Sequence, residues 1–82
     1  MRVRVKLLAA ATMPAGFDEY GEREFDLPAG ASVADVMAGI SLPAEETYTS
    51  LVSGQAVQPE ARAGHALSDG DEVTLLPAIQ GG

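Results

Sequence analysis

The residues of this chain best suited to chemistry are its last two, Gly81 and Gly82. Glycine has no Cβ, so a tail ending in two glycines passes into a narrow active site that bulkier residues would block. Such a tail presents a carboxylate, which is ionised at neutral pH and is a poor electrophile until it is activated. We therefore predict that the Gly82 carboxylate is a group on which another enzyme acts.

The rest of the chain holds few side chains of the kind that catalyse reactions. It contains no cysteine, which excludes disulfides, thiolate metal sites and thiol nucleophiles. Its one histidine, His65, has no partners at the spacing of a catalytic triad or a metal site, and the glycines match no phosphate-binding loop. We expect a protein that is not an enzyme and that binds no metal or cofactor of its own.

The net charge of −7 limits the partners of this protein. It argues against nucleic acid, whose phosphates would be repelled, and it favours either a basic protein surface or simple solubility. We find no apolar run long enough to span a bilayer, and the alternating start of the chain is unlike a signal peptide. We expect one small domain in the cytoplasm, with no membrane contact.

The first half of the chain predicts two strands and a helix. Residues 1–9 and 20–27 alternate apolar and charged side chains, as half-buried strands do, and would form an antiparallel hairpin across a loop at 12–18. Ser32 and Asp35 then stand at capping-box spacing before a helix of two to three turns. The apolar side chains that would face the core are Val3, Val5, Leu7, Phe25, Leu27, Val33, Val36, Met37 and Ile40.

The second half predicts three more strands, at residues 48–52, 55–57 and 72–76. Ser53-Gly54 and Asp69-Gly70 are turn sequences, residues 58–64 form a polar loop, and Pro77 ends the last strand. Pairing the first and last strands at the centre of the sheet buries both apolar faces under the helix. This is the α+β arrangement of the β-grasp, or ubiquitin-like, fold, with a domain at 1–77 and a flexible tail at 78–82.

Three segments of the chain resemble one family. Residues 69–73 (Asp-Gly-Asp-Glu-Val), the run Leu75-Leu76-Pro77 and the final Gly81-Gly82 are similar to the C-terminal signature of the MoaD/ThiS sulfur carriers. Residues 52–57 resemble that family's Val-Asn-Gly hairpin, with Ser53 in place of the usual Asn, and residues 28–33 resemble the turn that opens its helix.

The resemblance implies a function for the terminal glycine. In this family an E1-like enzyme uses ATP to adenylate the terminal carboxylate, here that of Gly82. A sulfur donor then displaces AMP to leave a thiocarboxylate, which supplies sulfur to a larger acceptor enzyme. Such a chain acts as the sulfur-donating subunit of its partner. The acceptor that the resemblance favours is the large subunit of molybdopterin synthase, because the long first hairpin loop is typical of MoaD.

Other functions stay open at this point. The segment at 32–48 is shorter than in many MoaD chains, which leaves thiazole synthase or another sulfur pathway as the acceptor. A ubiquitin-like modifier joined to lysines, or a β-grasp interaction module, also fits. Strand parity turns Leu76 outward beside Pro77 and Ile79, so we predict that these three residues dock a partner at the root of the tail. Arg2, Arg4 and Lys6 form a basic stripe that we interpret as a solvated sheet face.

Overall fold

A computed structural model of the protein describes residues 1–8, 16–40 and 48–77. Within these ranges the chain forms five strands, one α-helix and one 3₁₀ helix. In chain order they are β1 (Arg2–Leu7), β2 (Glu22–Asp26), α1 (Val33–Ala38), β3 (Tyr48–Val52), β4 (Gln55–Val57), the 3₁₀ helix (Pro59–Gly64) and β5 (Glu72–Pro77).

The strands form one mixed sheet in the order β2-β1-β5-β3-β4. The first and last strands are parallel neighbours at its centre, with Val5 opposite Val73 and Leu7 opposite Leu75. The hairpins β1–β2 and β3–β4 and the pair β3–β5 are antiparallel. This order confirms the predicted β-grasp arrangement.

One face of the sheet packs on α1 and forms the core. Val3, Val5, Val33, Val36, Val73 and Leu75 are completely buried. Burial of each such side chain contributes about 1.5–3 kcal/mol to stability. Phe25, Leu27 and Met37 are half-buried and pack against this cluster, as their positions in the sequence predicted.

The helix starts where the sequence predicts and is slightly shorter than the expected two to three turns. Ser32 accepts a hydrogen bond from the Asp35 amide, and an Asp35 carboxylate oxygen accepts one from the Ser32 amide, which confirms the capping box. The helix spans six residues, which is less than two turns. It stops at Gly39, because glycine is a poor helix former and its amide closes the last turn on the Asp35 and Val36 carbonyls.

Two connections differ in detail from the predictions. Residues 59–64 of the predicted polar loop form the 3₁₀ helix, which starts at a proline as helices often do. Ser53 and Gly54 both have positive φ, 48° and 87°, the conformation of a two-residue hairpin turn whose twist matches that of the strands. No helix in the described part of the chain is long and apolar enough to cross a membrane.

Candidate functional site

The predicted site residues divide between the end of β5 and the tail beyond it. Leu76 and Pro77 are the last two residues of β5. Ile79, Gly81 and Gly82 lie outside the described residues, as does the predicted tail at 78–82. The structure therefore describes the base from which the tail leaves.

That base is held on both sides. β5 pairs with β1 through a ladder that extends to Leu7 and Leu75, and the Leu8 amide donates a 2.9 Å hydrogen bond to the Leu75 carbonyl. On its other side β5 pairs with β3 up to the pair of Tyr48 and Pro77. A strand with neighbours on both sides is fixed in position, so the tail leaves from a rigid point of the fold.

Leu76 belongs to the face of the sheet opposite α1. It pairs with Thr49 of β3, and two positions along the ladder, on the same face, Thr74 pairs with Leu51. We call these four residues the Leu76 patch. The two leucines and Thr74 are half-buried and Thr49 is exposed. Both helices among the described residues lie on the other face, so Leu76 faces outward as strand parity predicted, although its side chain is less exposed than a fully solvated leucine.

The other half of this face is charged, and its positive and negative side chains lie close to one another. The basic stripe of β1 lies beside the carboxylates of β2, with Arg2 near Asp26 at 4.0 Å and Arg4 near Glu22 at 3.7 Å and Glu24 at 4.0 Å. These groups are largely solvent-exposed, so each pair contributes little to stability. The arrangement agrees with the interpretation of the stripe as a solvated face.

The Asp-Gly-Asp motif before β5 has a structural role that the sequence did not reveal. Asp69 accepts a 2.7 Å hydrogen bond from the Arg2 amide, and Asp71 accepts one of 2.8 Å from the Ser68 amide. The Gly70 amide donates to the Arg2 carbonyl at 2.8 Å, with Gly70 at a φ of 88°. The motif therefore joins the start of β1 to the start of β5 at the end of the sheet opposite the tail.

A second contact without a local sequence signal involves Arg62 of the 3₁₀ helix. Its Nε donates to the Ser50 Oγ at 2.9 Å and its Nη2 donates to the Tyr48 carbonyl at 2.6 Å. Ser50 is completely buried and its hydroxyl donates to the Val57 carbonyl at 2.9 Å. This network satisfies a buried polar group and ties the 3₁₀ helix to β3, the strand that supports β5.

The described residues contain no cluster of three or more His, Cys, Asp or Glu that could hold a metal ion. His65 is half-buried, and its backbone amide and carbonyl bond to Arg62 and Val33.

Comparison with known proteins shows the structural class and the family of this chain. The sheet and helix define a β-grasp, ubiquitin-like protein, and the crystal structure of SAMP1 from Haloferax volcanii superposes with a TM-score of 0.67 at 21% identity over 100% of both chains. A model of the ThiS family matches residues 8–82. The chain belongs to the ThiS family and is a small ubiquitin-like carrier. No curated protein sequence matches it significantly.

Proposed function

We propose that this protein is a sulfur carrier whose Gly82 carboxylate is adenylated by an E1-like enzyme and then converted to a thiocarboxylate. The observation that carries the proposal is the match to the ThiS family, which extends through Gly81 and Gly82. The fixed position of β5 adds support, because a carrier whose tail enters another enzyme needs a rigid base for that tail.

The proposed chemistry has two successive reactions, adenylation and sulfur transfer. The Gly82 carboxylate attacks the α-phosphate of ATP and releases pyrophosphate, which turns a poor electrophile into an acyl adenylate. A sulfide equivalent then attacks the acyl carbon and AMP leaves, so that one oxygen of the terminus is replaced by sulfur. The absence of cysteine fits this sequence of steps, because no thiol of the chain competes for the activated acyl group.

We assign the Leu76 patch, together with Pro77 and Ile79, as the docking surface for the activating enzyme. Two half-buried leucines on a face without a described helix provide apolar area that a partner covers without unfolding the carrier. The neighbouring charges of β1 and β2 compensate one another, which leaves the Leu76 patch as the less hydrated part of that face.

For the acceptor we propose the large subunit of molybdopterin synthase, which would take sulfur from two thiocarboxylates. The support is the resemblance to MoaD chains in the first hairpin and in the run before Pro77. Thiazole synthase is the second candidate, because the family model that matches is that of ThiS. Capture of one of these two purified enzymes by thiocarboxylated carrier decides between them.

Mass spectrometry tests the proposal directly. The carrier is incubated with an E1-like enzyme, ATP and sulfide, and then cleaved with trypsin, which releases residues 63–82 after Arg62. We expect this peptide to gain the mass difference between sulfur and oxygen. Amide-linked adducts on other proteins would instead indicate a modifier, and an unchanged peptide with an active enzyme would contradict both functions.

A further inference from the structure

Tyr20 is the one large hydrophobic side chain that is strongly exposed among residues 1–8, 16–40 and 48–77. Its relative exposure is 73%. It lies in the turn that leads into β2, between the half-buried Phe17, which packs against the core, and the buried Gly21. The residues on either side of the ring are thus anchored, while the ring itself remains in solvent.

The backbone hydrogen bonds of this turn keep the ring exposed. Asp18 Oδ1 accepts from the Tyr20 amide at 2.8 Å and from the Glu22 amide at 3.0 Å. The Asp18 amide donates to the Glu22 carbonyl at 2.9 Å and the Gly21 amide donates to the Asp18 carbonyl at 3.0 Å. A tyrosine presented by an ordered turn loses little conformational entropy on binding, and tyrosines often dominate binding energy at interfaces.

The turn lies at the same end of the sheet as the tail. The Leu7 amide donates to the Gly21 carbonyl at 2.7 Å, and the next amide, that of Leu8, donates to the Leu75 carbonyl at 2.9 Å. Two consecutive residues of the chain therefore connect the turn to the end of β5. Strand spacing places β2 about 10 Å from β5, so a protein that receives the tail also reaches this turn.

The charge around Tyr20 specifies what would cover it. Asp18 and Glu19, which directly precede Tyr20, carry exposed carboxylates, whereas Glu22 is already paired with Arg4 at 3.7 Å. The arginine guanidinium fits this combination, because it stacks on an aromatic ring and binds carboxylates at the same time.

A second copy of this chain is poorly suited to supply that guanidinium. Each of its four arginines already has a partner in the structure. Arg2 and Arg4 lie beside carboxylates of β2, Arg23 lies over the Phe25 ring at 4.4 Å, and Arg62 is bonded to β3.

We infer that Tyr20 and Glu19 dock an arginine-bearing surface of the activating enzyme, beside the channel that receives the tail. This inference rests on the proposed function, since it names a second contact made by the enzyme that acts on Gly82. The two contacts lie on either side of the end of β5, with the Leu76 patch on the outer face of the sheet and Tyr20 in the turn that leads into the edge strand β2.

Calorimetric titration of the purified carrier with an E1-like enzyme tests the inference. We expect Tyr20→Ala to raise Kd about tenfold, in the range of an interface hot spot, and Tyr20→Phe to leave it within about twofold because the ring is kept. Glu19→Gln should raise Kd less and flatten its dependence on salt. Glu60→Gln, an exposed carboxylate of the 3₁₀ helix, is the matched control and should have no effect.

The outcomes separate this inference from the proposed function. The control variant Glu60→Gln should reach the thiocarboxylate yield of the wild type, since Gly82 is intact. A Tyr20→Ala variant that is folded by circular dichroism and binds with unchanged Kd would overturn the inference while the wild type still forms a thiocarboxylate. A dimer in sedimentation that Tyr20→Ala abolishes would overturn it in favour of a second copy. A wild type that forms no thiocarboxylate would refute the proposed function itself.

Discussion

Leu75 and Leu76 are consecutive residues of β5 whose side chains lie on opposite faces of the sheet. Leu75 is completely buried beneath α1, and Leu76 is half-buried on the outer face opposite Thr49. Leu75 holds the last strand in the core, and Leu76 lies on the face that we propose as a docking surface. If the proposal holds, stability and binding depend on different residues at the end of β5.

The Leu76 patch is tested by placing a charge in it. We expect Leu76→Glu to weaken binding to the activating enzyme about tenfold, because a carboxylate on the outer face would be desolvated in the complex. Leu75→Ala should instead lower the free energy of unfolding by about 2–5 kcal/mol. Calorimetric titration and urea denaturation measure the two effects. Ala61→Glu, which adds the same charge to the exposed side of the 3₁₀ helix, is the control, and equal affinity of Leu76→Glu and wild type would contradict the assignment.

Removal of Gly82 tests the acyl terminus. We expect the shortened chain to form no thiocarboxylate and to keep the melting temperature of the wild type, because the described sheet ends at Pro77. Gly81→Ala should form the thiocarboxylate more slowly, because the added Cβ makes the tail bulkier in the narrow active site that it must enter. Mass spectrometry of residues 63–82 measures both results, and full sulfur transfer by the chain without Gly82 would refute the carrier mechanism.

The hairpin turn between β3 and β4 contains a residue whose substitution should stabilise the fold. Ser53 has a φ of 48°, a left-handed conformation that asparagine tolerates better than serine. Its hydroxyl lies 3.4 Å from Asp71 Oδ1, a long contact whose loss costs little. We expect Ser53→Asn to raise the free energy of unfolding by about 0.5–1 kcal/mol and Ser53→Val to lower it. Urea denaturation checks the order, and a more stable valine variant would contradict it.

The buried network of Arg62 predicts a specific loss of stability. Lysine keeps the charge but has no planar fork, so Arg62→Lys forfeits the paired hydrogen bonds to the Ser50 hydroxyl and the Tyr48 carbonyl. We expect a loss of about 1–3 kcal/mol in the free energy of unfolding. A double-mutant cycle of Arg62→Met with Ser50→Ala measures the coupling, and strictly additive losses would show that the bond contributes nothing.

Much of the fold could be predicted because its determinants are local. The alternation around Val3 and Val5, the capping box of Ser32 and Asp35 and the Ser53-Gly54 turn each depend on neighbouring residues, and each is present in the structure. The central pairing of β1 and β5 could be deduced because each strand has an apolar face and the sequence predicts a single helix. One helix covers both faces only when the two strands are neighbours.

The features that escaped prediction depend on distant contacts. Arg62 reaches β3 from a segment whose polar composition indicates only a loop, and the contact with Ser50 exists only once the sheet has formed. Asp69 binds the Arg2 amide across 67 positions of the chain. Tyr20 stands among carboxylates in an apparently solvated run, and its exposure follows from the turn that Asp18 closes. Long-range contacts of this kind have no periodicity to reveal them.

The central place of β5 has a mechanical consequence. A force that pulls the C-terminal end of β5 along the strand acts parallel to it, whereas the hydrogen bonds that hold this strand to β1 and β3 run across it. Such a load shears both ladders at once. An edge strand pulled sideways would instead lose its hydrogen bonds one at a time. The fold therefore resists a pull on the C-terminal end of β5 with both of the ladders that flank this strand.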